Sequence, residues 1–214
     1  MSPAEKAEQE RDHIRRTLVS LIDEQGYAQT TLEDLLERAE IDEAVFERHF
    51  QTLDECFAEV WRNYAQALAG PVLEVYAEAG NWRDGIRAQA WKLCRMTVED
   101  ELRARICMVE VDFGGELVQA TRDIVMAGYV ELVHLGRHET ERGAEVPKAQ
   151  AEAVVGAIWE RVRRRIKTGR LDALVDDIPG LLYLAYLPYL GPEVAREELQ
   201  RGERDVARFR RGEI

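Results

Sequence analysis

Residues 14–57 read IRRTLVSLIDEQGYAQTTLEDLLERAEIDEAVFERHFQTLDECF. Ile14, Leu18, Leu21 and Ile22 recur at helical spacing as one apolar stripe, and Gly26 with Tyr27 stops that helix where a C-terminal glycine belongs. Thr30 and Thr31 then offer hydroxyls to cap a second helix, and Asp34, three residues after Thr31, approximates a capping box. Leu32, Leu35 and Leu36 give this helix an inward face, Ala39 is small enough for a close helix crossing, and Ile41 is apolar inside a polar turn. Asp42 can cap a third helix, in which Val45, Phe46, His49 and Phe50 share helical spacing; Thr52 and Glu55 make a capping box for the next. Two short helical patterns, Leu32 to Arg38 and Glu43 to His49, joined by a tight turn and flanked by longer helices, are laid out as a helix-turn-helix. Duplex DNA is therefore the first expected partner.

Gly26-Tyr27, Thr30-Thr31, Ala39, Ile41, His49-Phe50 and the segment from Thr52 to Phe57 resemble the amino-terminal domain of TetR/AcrR-type transcriptional regulators over residues 10 to 60. The resemblance implies an all-α fold of about nine or ten helices. An N-terminal three-helix helix-turn-helix DNA-binding domain would occupy residues 1–57, and a larger helical ligand-binding and dimerisation domain residues 58–214. It also implies a homodimeric repressor that a small-molecule effector releases from a double-stranded DNA operator. Five positions depart from the family's usual residues: Glu40 stands at the turn glycine, Asp42 at the capping serine, Ala44 at a small glycine, Glu47 at a phosphate-contacting tyrosine and Leu53 at a lysine.

Most of those departures fall on the surface that would meet DNA, and they make it acidic. Residues 1 to 64 hold seven basic and sixteen acidic side chains, a net of −9 out of the chain's −12. Affinity for duplex DNA rests largely on neutralising phosphates and releasing counterions. A carboxylate at contact distance from a phosphate costs between about 1 and 4 kcal/mol, depending on the effective dielectric. Specific sites outbind non-specific DNA by roughly 4 to 10 kcal/mol, so one Glu47 per subunit is tolerable and several such charges are not.

Within this constraint the candidate DNA-binding residues are Thr30, Thr31, Arg38, Glu43, Ala44, Glu47, Arg48 and His49. Arg48 is the best placed for a phosphate or base contact, and Thr30 or Thr31 for positioning phosphate at a helix N-terminus. Arg15, Arg16 and Arg38 are secondary, since long basic side chains decorate any helix surface. Glu43 and Glu47 can accept from cytosine N4 in the major groove, or simply face solvent. His49 more often packs beside Phe50 than it reads DNA. The alternative function keeps the fold and drops the reader: a DNA-independent ligand-binding or protein-pairing dimer with a degenerate helix-turn-helix.

Beyond Trp61 the helical pattern runs past Leu68, with Gly70-Pro71 expected to kink or briefly break it before Val72, and Ala79-Gly80-Asn81 ending it. Helical segments are expected over about 82–99, 101–112 and 115–138, then a polar loop over 139–146. Trp91, Cys94, Met108, Val111, Phe113, Met126 and Tyr129 on these middle helices are the candidate ligand-binding residues, although apolar side chains at helical spacing also serve as plain core. From Pro147, a good first helical residue, Val154, Val155, Ile158, Trp159, Val162 and Ile166 form a strong stripe. The next helix, Leu171 to Leu190, is apolar on more than one face. The family resemblance pairs these last two helices with their copies, making Val155, Ile158, Trp159, Val162, Leu181, Leu184 and Leu187 the candidate dimer interface. The charged tail after Pro192, ending Arg208 to Ile214, reads as a short fraying helix.

Other function classes find little support. No apolar run reaches the ~20 residues needed to span a bilayer, and the polar start shows no signal peptide, so a cytoplasmic protein without membrane association is expected. Cys56, Cys94 and Cys107 lack metal-ligand spacing and read as buried thiols, with redox sensing open only to a thiol in an electropositive, accessible setting. His134 and His138, four apart and near Glu141, make a weak metal motif, and no metal or cofactor is expected. The run Arg161, Arg163, Arg164, Arg165, Lys167 suits the end of a helix as a solvated face. With no Gly-rich phosphate loop, nucleophile elbow or metalloprotease helix, the chain is not expected to be an enzyme.

Overall fold

The computed structural model describes residues 2–213, which contain ten α-helices and no strand. The all-α expectation, with a three-helix amino-terminal unit, therefore holds. The chain folds as two compact units: residues 1–65 with 105–123, and residues 66–104 with 124–214. Compactness thus cuts later than residue 57 and adds a distant segment to the first unit.

In the first unit α1 (Pro3–Gln25) begins with a reciprocal Ser2–Glu5 capping box and buries Ile14, Thr17, Leu18, Leu21 and Ile22. Gly26, at φ +79°, takes the chain out of the helix. Helix α2 (Leu32–Ala39) starts with the expected Thr31–Asp34 box, the Asp34 N–H donating to Thr31 Oγ1 at 3.1 Å and the Thr31 N–H to Asp34 at 2.9 Å. It ends at Glu40, which adopts the left-handed conformation at φ +53°. Asp42 caps α3 (Glu43–Glu47) by accepting the Val45 N–H at 2.9 Å. That helix is shorter than expected, and His49 and Phe50 lie in the turn that follows it.

Helix α4 (Leu53–Ala77) starts on a shifted box: Thr52 accepts the Glu55 N–H at 3.1 Å, while Glu55 accepts from Gln51 rather than from Thr52. It runs unbroken through Gly70–Pro71, contrary to the expected interruption, and the neighbouring Val72 is wholly buried. The added segment of the first unit is sealed by polar contacts. Trp61 Nε1 donates to Cys107 O at 3.2 Å, Asp54 accepts the Gly115 N–H at 3.1 Å, and Arg105 donates to the carbonyls of Ile22 and Asp23 at 3.1 Å each. Arg105 thereby supplies the cation that the end of α1 lacks in its own sequence.

The remaining helices are α5 (Trp82–Glu99), α6 (Glu101–Met108), α7 (Glu116–His134), α8 (Glu141–Ala144), α9 (Lys148–Lys167) and α10 (Leu174–Arg210). Helix α8 is a correction: the stretch expected as loop holds one turn capped by Thr140, which accepts the Gly143 N–H at 2.9 Å. Pro147 is the residue before α9 rather than its first.

Helix α10 carries the larger correction. It breaks only at Gly191, at φ +83°, and the charged tail continues as helix to Arg210. Glu198, 1 % exposed, accepts from Arg83 Nε at 2.8 Å and Arg87 Nη1 at 2.6 Å, and Phe209 sits 5.5 Å from the Trp91 ring with the Arg95 guanidinium over it at 4.8 Å. Contacts to α5 across more than a hundred residues of sequence therefore order the tail; its last residue, Ile214, lies outside the described residues. The arginine run of α9 is likewise not wholly solvated, since Arg161 and Arg165 both donate to Asp177 and tie α9 to α10.

Candidate nucleic-acid interface

The two helices of the helix-turn-helix are positioned by a small, fully packed core. Phe46 and Phe50, 5.8 Å apart, are 1 % exposed, and Tyr27 stacks on Phe57 at 3.9 Å. Burying Val45 partly and Phe46 fully turns the opposite side of α3 outward, and this exposed side consists of Glu43, Ala44 and Glu47. Among the described residues no cation is paired with Glu43 or Glu47.

The expected donors are arranged less freely. Thr30 is buried and its hydroxyl donates to Gly26 O at 2.8 Å, so it closes the turn after α1 instead of facing solvent. Thr31 is exposed, but its N–H and hydroxyl both donate to Asp34, the hydroxyl at 2.8 Å. Arg38 grips Glu24 through two hydrogen bonds of 2.8 and 2.9 Å. Arg48 lies 3.5 Å from Glu10, and His49 Nε2 lies 3.1 Å from the same Glu10 carboxylate. Three internal carboxylates, Asp34, Glu24 and Glu10, thus engage Thr31, Arg38, Arg48 and His49. The partners Glu10 and Glu24 escaped sequence reasoning, although both lie near the edge of the α1 stripe that carries Thr17 and Leu21.

The outer side of α2 and the following turn form an open groove, floored by Leu32, Leu36 and Ile41 and rimmed by Glu33, Glu37, Glu40 and Glu43. This concentrates the unit's negative charge beside the start of α3.

The candidate ligand residues divide between the units. Trp91 and Cys94 are buried on α5, and Met126 and Tyr129 are half-buried on α7, all in the second unit. Met108, Val111 and Phe113 belong to the first, where Val111 is core and Phe113 is exposed. The Trp91 indole N–H is buried without a hydrogen-bond partner among the described residues. Of the dimer candidates, Val155 and Val162 are buried, while Ile158, Trp159, Leu181, Leu184 and Leu187 remain half-exposed.

The cysteines are buried, and burial pushes the Cys56 and Cys94 thiols up to about 12, far from reactive thiolates. His134 turns inward, its Nδ1 3.4 Å from Tyr189 Oη, while His138 is exposed beside Arg137. Among the described residues no group of three metal-ligating side chains forms and no helix is long and apolar enough to cross a membrane.

The family model for bacterial regulatory proteins of the tetR family matches residues 14–60. These residues are a TetR-family domain. Solved structures of similar fold cover most of the chain. FadR of Bacillus halodurans, a fatty acid degradation regulator, is similar at a TM-score of 0.68 with 16% identity, over 85% of this chain and 95% of that one. FadR of Bacillus subtilis, solved with stearoyl-CoA, is similar at 0.67 with 14% identity, over 84% and 97%. The TetR regulator TylP of Streptomyces fradiae reaches 0.61 with 18% identity, over 94% and 98%. At such identities the likeness is one of fold. No curated protein matches the sequence.

Proposed function

We propose that this chain is a cytoplasmic, homodimeric transcriptional regulator that binds a double-stranded DNA operator through residues 1–57 and represses transcription until a small molecule bound within residues 58–214 releases it. The observation that carries the reading is the TetR-family domain at 14–60, with Glu43, Ala44 and Glu47 of α3 turned to solvent above a closed core. Arg48 would meet phosphate or base edges, and Glu43 or Glu47 a cytosine amino group.

The effector half of the reading draws on the second unit, where α5 buries both Trp91, whose indole N–H has no hydrogen-bond partner among the described residues, and Cys94. Bacillus subtilis FadR, of similar fold, holds stearoyl-CoA, and a largely apolar effector would suit aromatic and sulfur side chains here as well. Release requires that the effector bind the DNA-incompetent state better than the competent one.

The test is a mobility shift of the purified protein with its own upstream intergenic DNA, at low and near-physiological salt, against an unrelated duplex. Saturable, sequence-selective binding supports a DNA reader; selective binding at neither salt favours the second reading, a ligand-binding or protein-pairing dimer that has left DNA. The acid-rimmed groove beside α3 is the observation in favour of that second reading.

A further inference from the structure

Glu10 lies on a particular face of α1. His13, Thr17 and Leu21 follow it at helical intervals, and Thr17 and Leu21 are buried, so Glu10 stands at the outer end of the stripe by which α1 packs on its own unit. His13 Nε2 fixes the register, 3.0 Å from Ala39 O at the end of α2. Beyond it the Glu10 carboxylate is ringed by basic side chains from two parts of the sequence. His49 Nε2 is 3.1 Å and Arg48 Nη2 3.5 Å from Oε2, and Lys6 Nζ is 3.8 Å from Oε1. The His49 hydrogen bond, opposed by burial and aided by Arg48 and Lys6, holds the Glu10 carboxyl below its ordinary range.

This cluster is built like an anion site. Three donors converge on one pair of acceptor oxygens, and a DNA phosphodiester presents the same single charge and two non-bridging oxygens. We infer that Lys6, Arg48 and His49 form a backbone-phosphate site of the DNA reader, occupied in the free protein by the Glu10 carboxylate, which duplex DNA displaces. The inference rests on the DNA-reading function proposed above.

Energetics make the exchange feasible. The Arg48 side chain is 58% exposed and Glu10 28%, so their ion pair is worth little in water and is readily given up. The phosphate brings what Glu10 does not, release of condensed counterions from the duplex. Glu10 therefore weakens DNA binding without abolishing it, and weakens it most at low salt, where its pairing with the basic side chains and its repulsion of phosphate are least screened.

The experiment is fluorescence anisotropy of the full chain with a labelled mixed-sequence duplex at low salt, which reads phosphate binding without knowledge of the operator. Glu10→Gln is expected to tighten binding roughly two- to five-fold, the scale of one surface ion pair. With Arg48→Ala in both proteins, the gain from Glu10→Gln is expected to shrink, since Lys6 and His49 alone remain for Glu10 to occupy. An equal gain in both backgrounds would mean that net charge alone matters and would overturn the site, as would no gain at all. Binding by Glu10→Gln where the native chain shows none supports it. Absence of binding by every form, to this duplex and to the upstream DNA, removes the DNA-reading function itself, and the phosphate site with it.

Discussion

The buried Glu110 carboxylate accepts the backbone N–H of Tyr27 at 2.9 Å, joining the 105–123 segment to the turn that ends α1. Without this acceptor the Tyr27 N–H is sealed away from water, and a buried unpaired donor costs about 1–3 kcal/mol. Glu110→Ala is expected to lower unfolding free energy by that amount. Glu110→Gln, which keeps an acceptor of the same shape, is expected to cost less. Urea denaturation of the three proteins measures both; equal losses would mean that the charge, not the hydrogen bond, is what matters.

Glu40 is the one non-glycine residue with positive φ among the described residues, and its side chain is exposed. A residue with a Cβ pays roughly 1–2 kcal/mol in the left-handed region, partly offset by glycine's greater freedom in the unfolded chain. Glu40→Gly is expected to stabilise the protein by about 1 kcal/mol, while Glu40→Ala, which retains the Cβ, brings no comparable gain. The shift in thermal midpoint decides it, and a stabilising alanine would point to charge repulsion along the acidic groove instead of backbone strain.

Glu59 binds its partners most strongly as an anion. Hydrogen bonds from Arg11, at 2.8 Å from its Nε, and from Arg15 outweigh burial and hold the Glu59 carboxyl below its ordinary range. A carboxyl with a depressed folded pKa binds fewer protons in the folded than in the unfolded state between the two pKa values. Its stabilisation is therefore full above the unfolded value and is lost as pH falls through the folded one. Glu59→Gln is expected to destabilise the protein at neutral pH and to flatten the decline of stability on the acid side of the ordinary carboxylate range. An unchanged acid limb in the variant would remove Glu59 from the account.

Much of the first unit was legible because its determinants are local. Gly26, the Thr31–Asp34 box and Asp42 act within four residues of the backbone groups they satisfy, and each lies where the spacing placed it. The distal limb of α10 was illegible because Glu198 reads as a solvated charge until Arg83 and Arg87, over a hundred residues away, are brought beside it. The 105–123 segment was hidden for the same reason, its attachment resting on Arg105, Glu110 and Asp54 rather than on an apolar stripe. At the reader surface the donors Arg38, Arg48 and Thr31 were legible as residue types. Their carboxylate partners were not, since pairing across helices leaves no periodic trace.

Glu47 faces solvent on α3 with no paired cation, so in a major-groove pose it would stand near phosphates unrelieved. Removing one such repulsion at the dielectric of water, the lower bound, is worth about 1 kcal/mol, or roughly five-fold in affinity. Glu47→Tyr is expected to tighten operator binding by at least that factor, since the phenol adds a donor. Glu47→Gln is expected to recover only the electrostatic part. If both variants fold and neither binds DNA more tightly, α3 does not dock with this side toward the groove.

Ile158 and Trp159 on α9 and Leu181, Leu184 and Leu187 on α10 are only partly buried in a single chain. The Asp177 clamp from Arg161 and Arg165 ties these two helices together, and their partly exposed residues make up the candidate dimer face. Pairing of two copies on this face would bury it and present two α3 helices to half-sites spaced by a helical turn of DNA or a multiple of it. Leu184→Asp places a charge on that face while leaving the buried Leu182 and Ala185 untouched. Light scattering after gel filtration is expected to give a dimer for the native chain and a monomer with native helicity for the variant, and DNA binding is expected to fall steeply with the loss of the second reader. A dimer that survives Leu184→Asp, or a native chain that is already monomeric, would move the subunit contact away from α9 and α10.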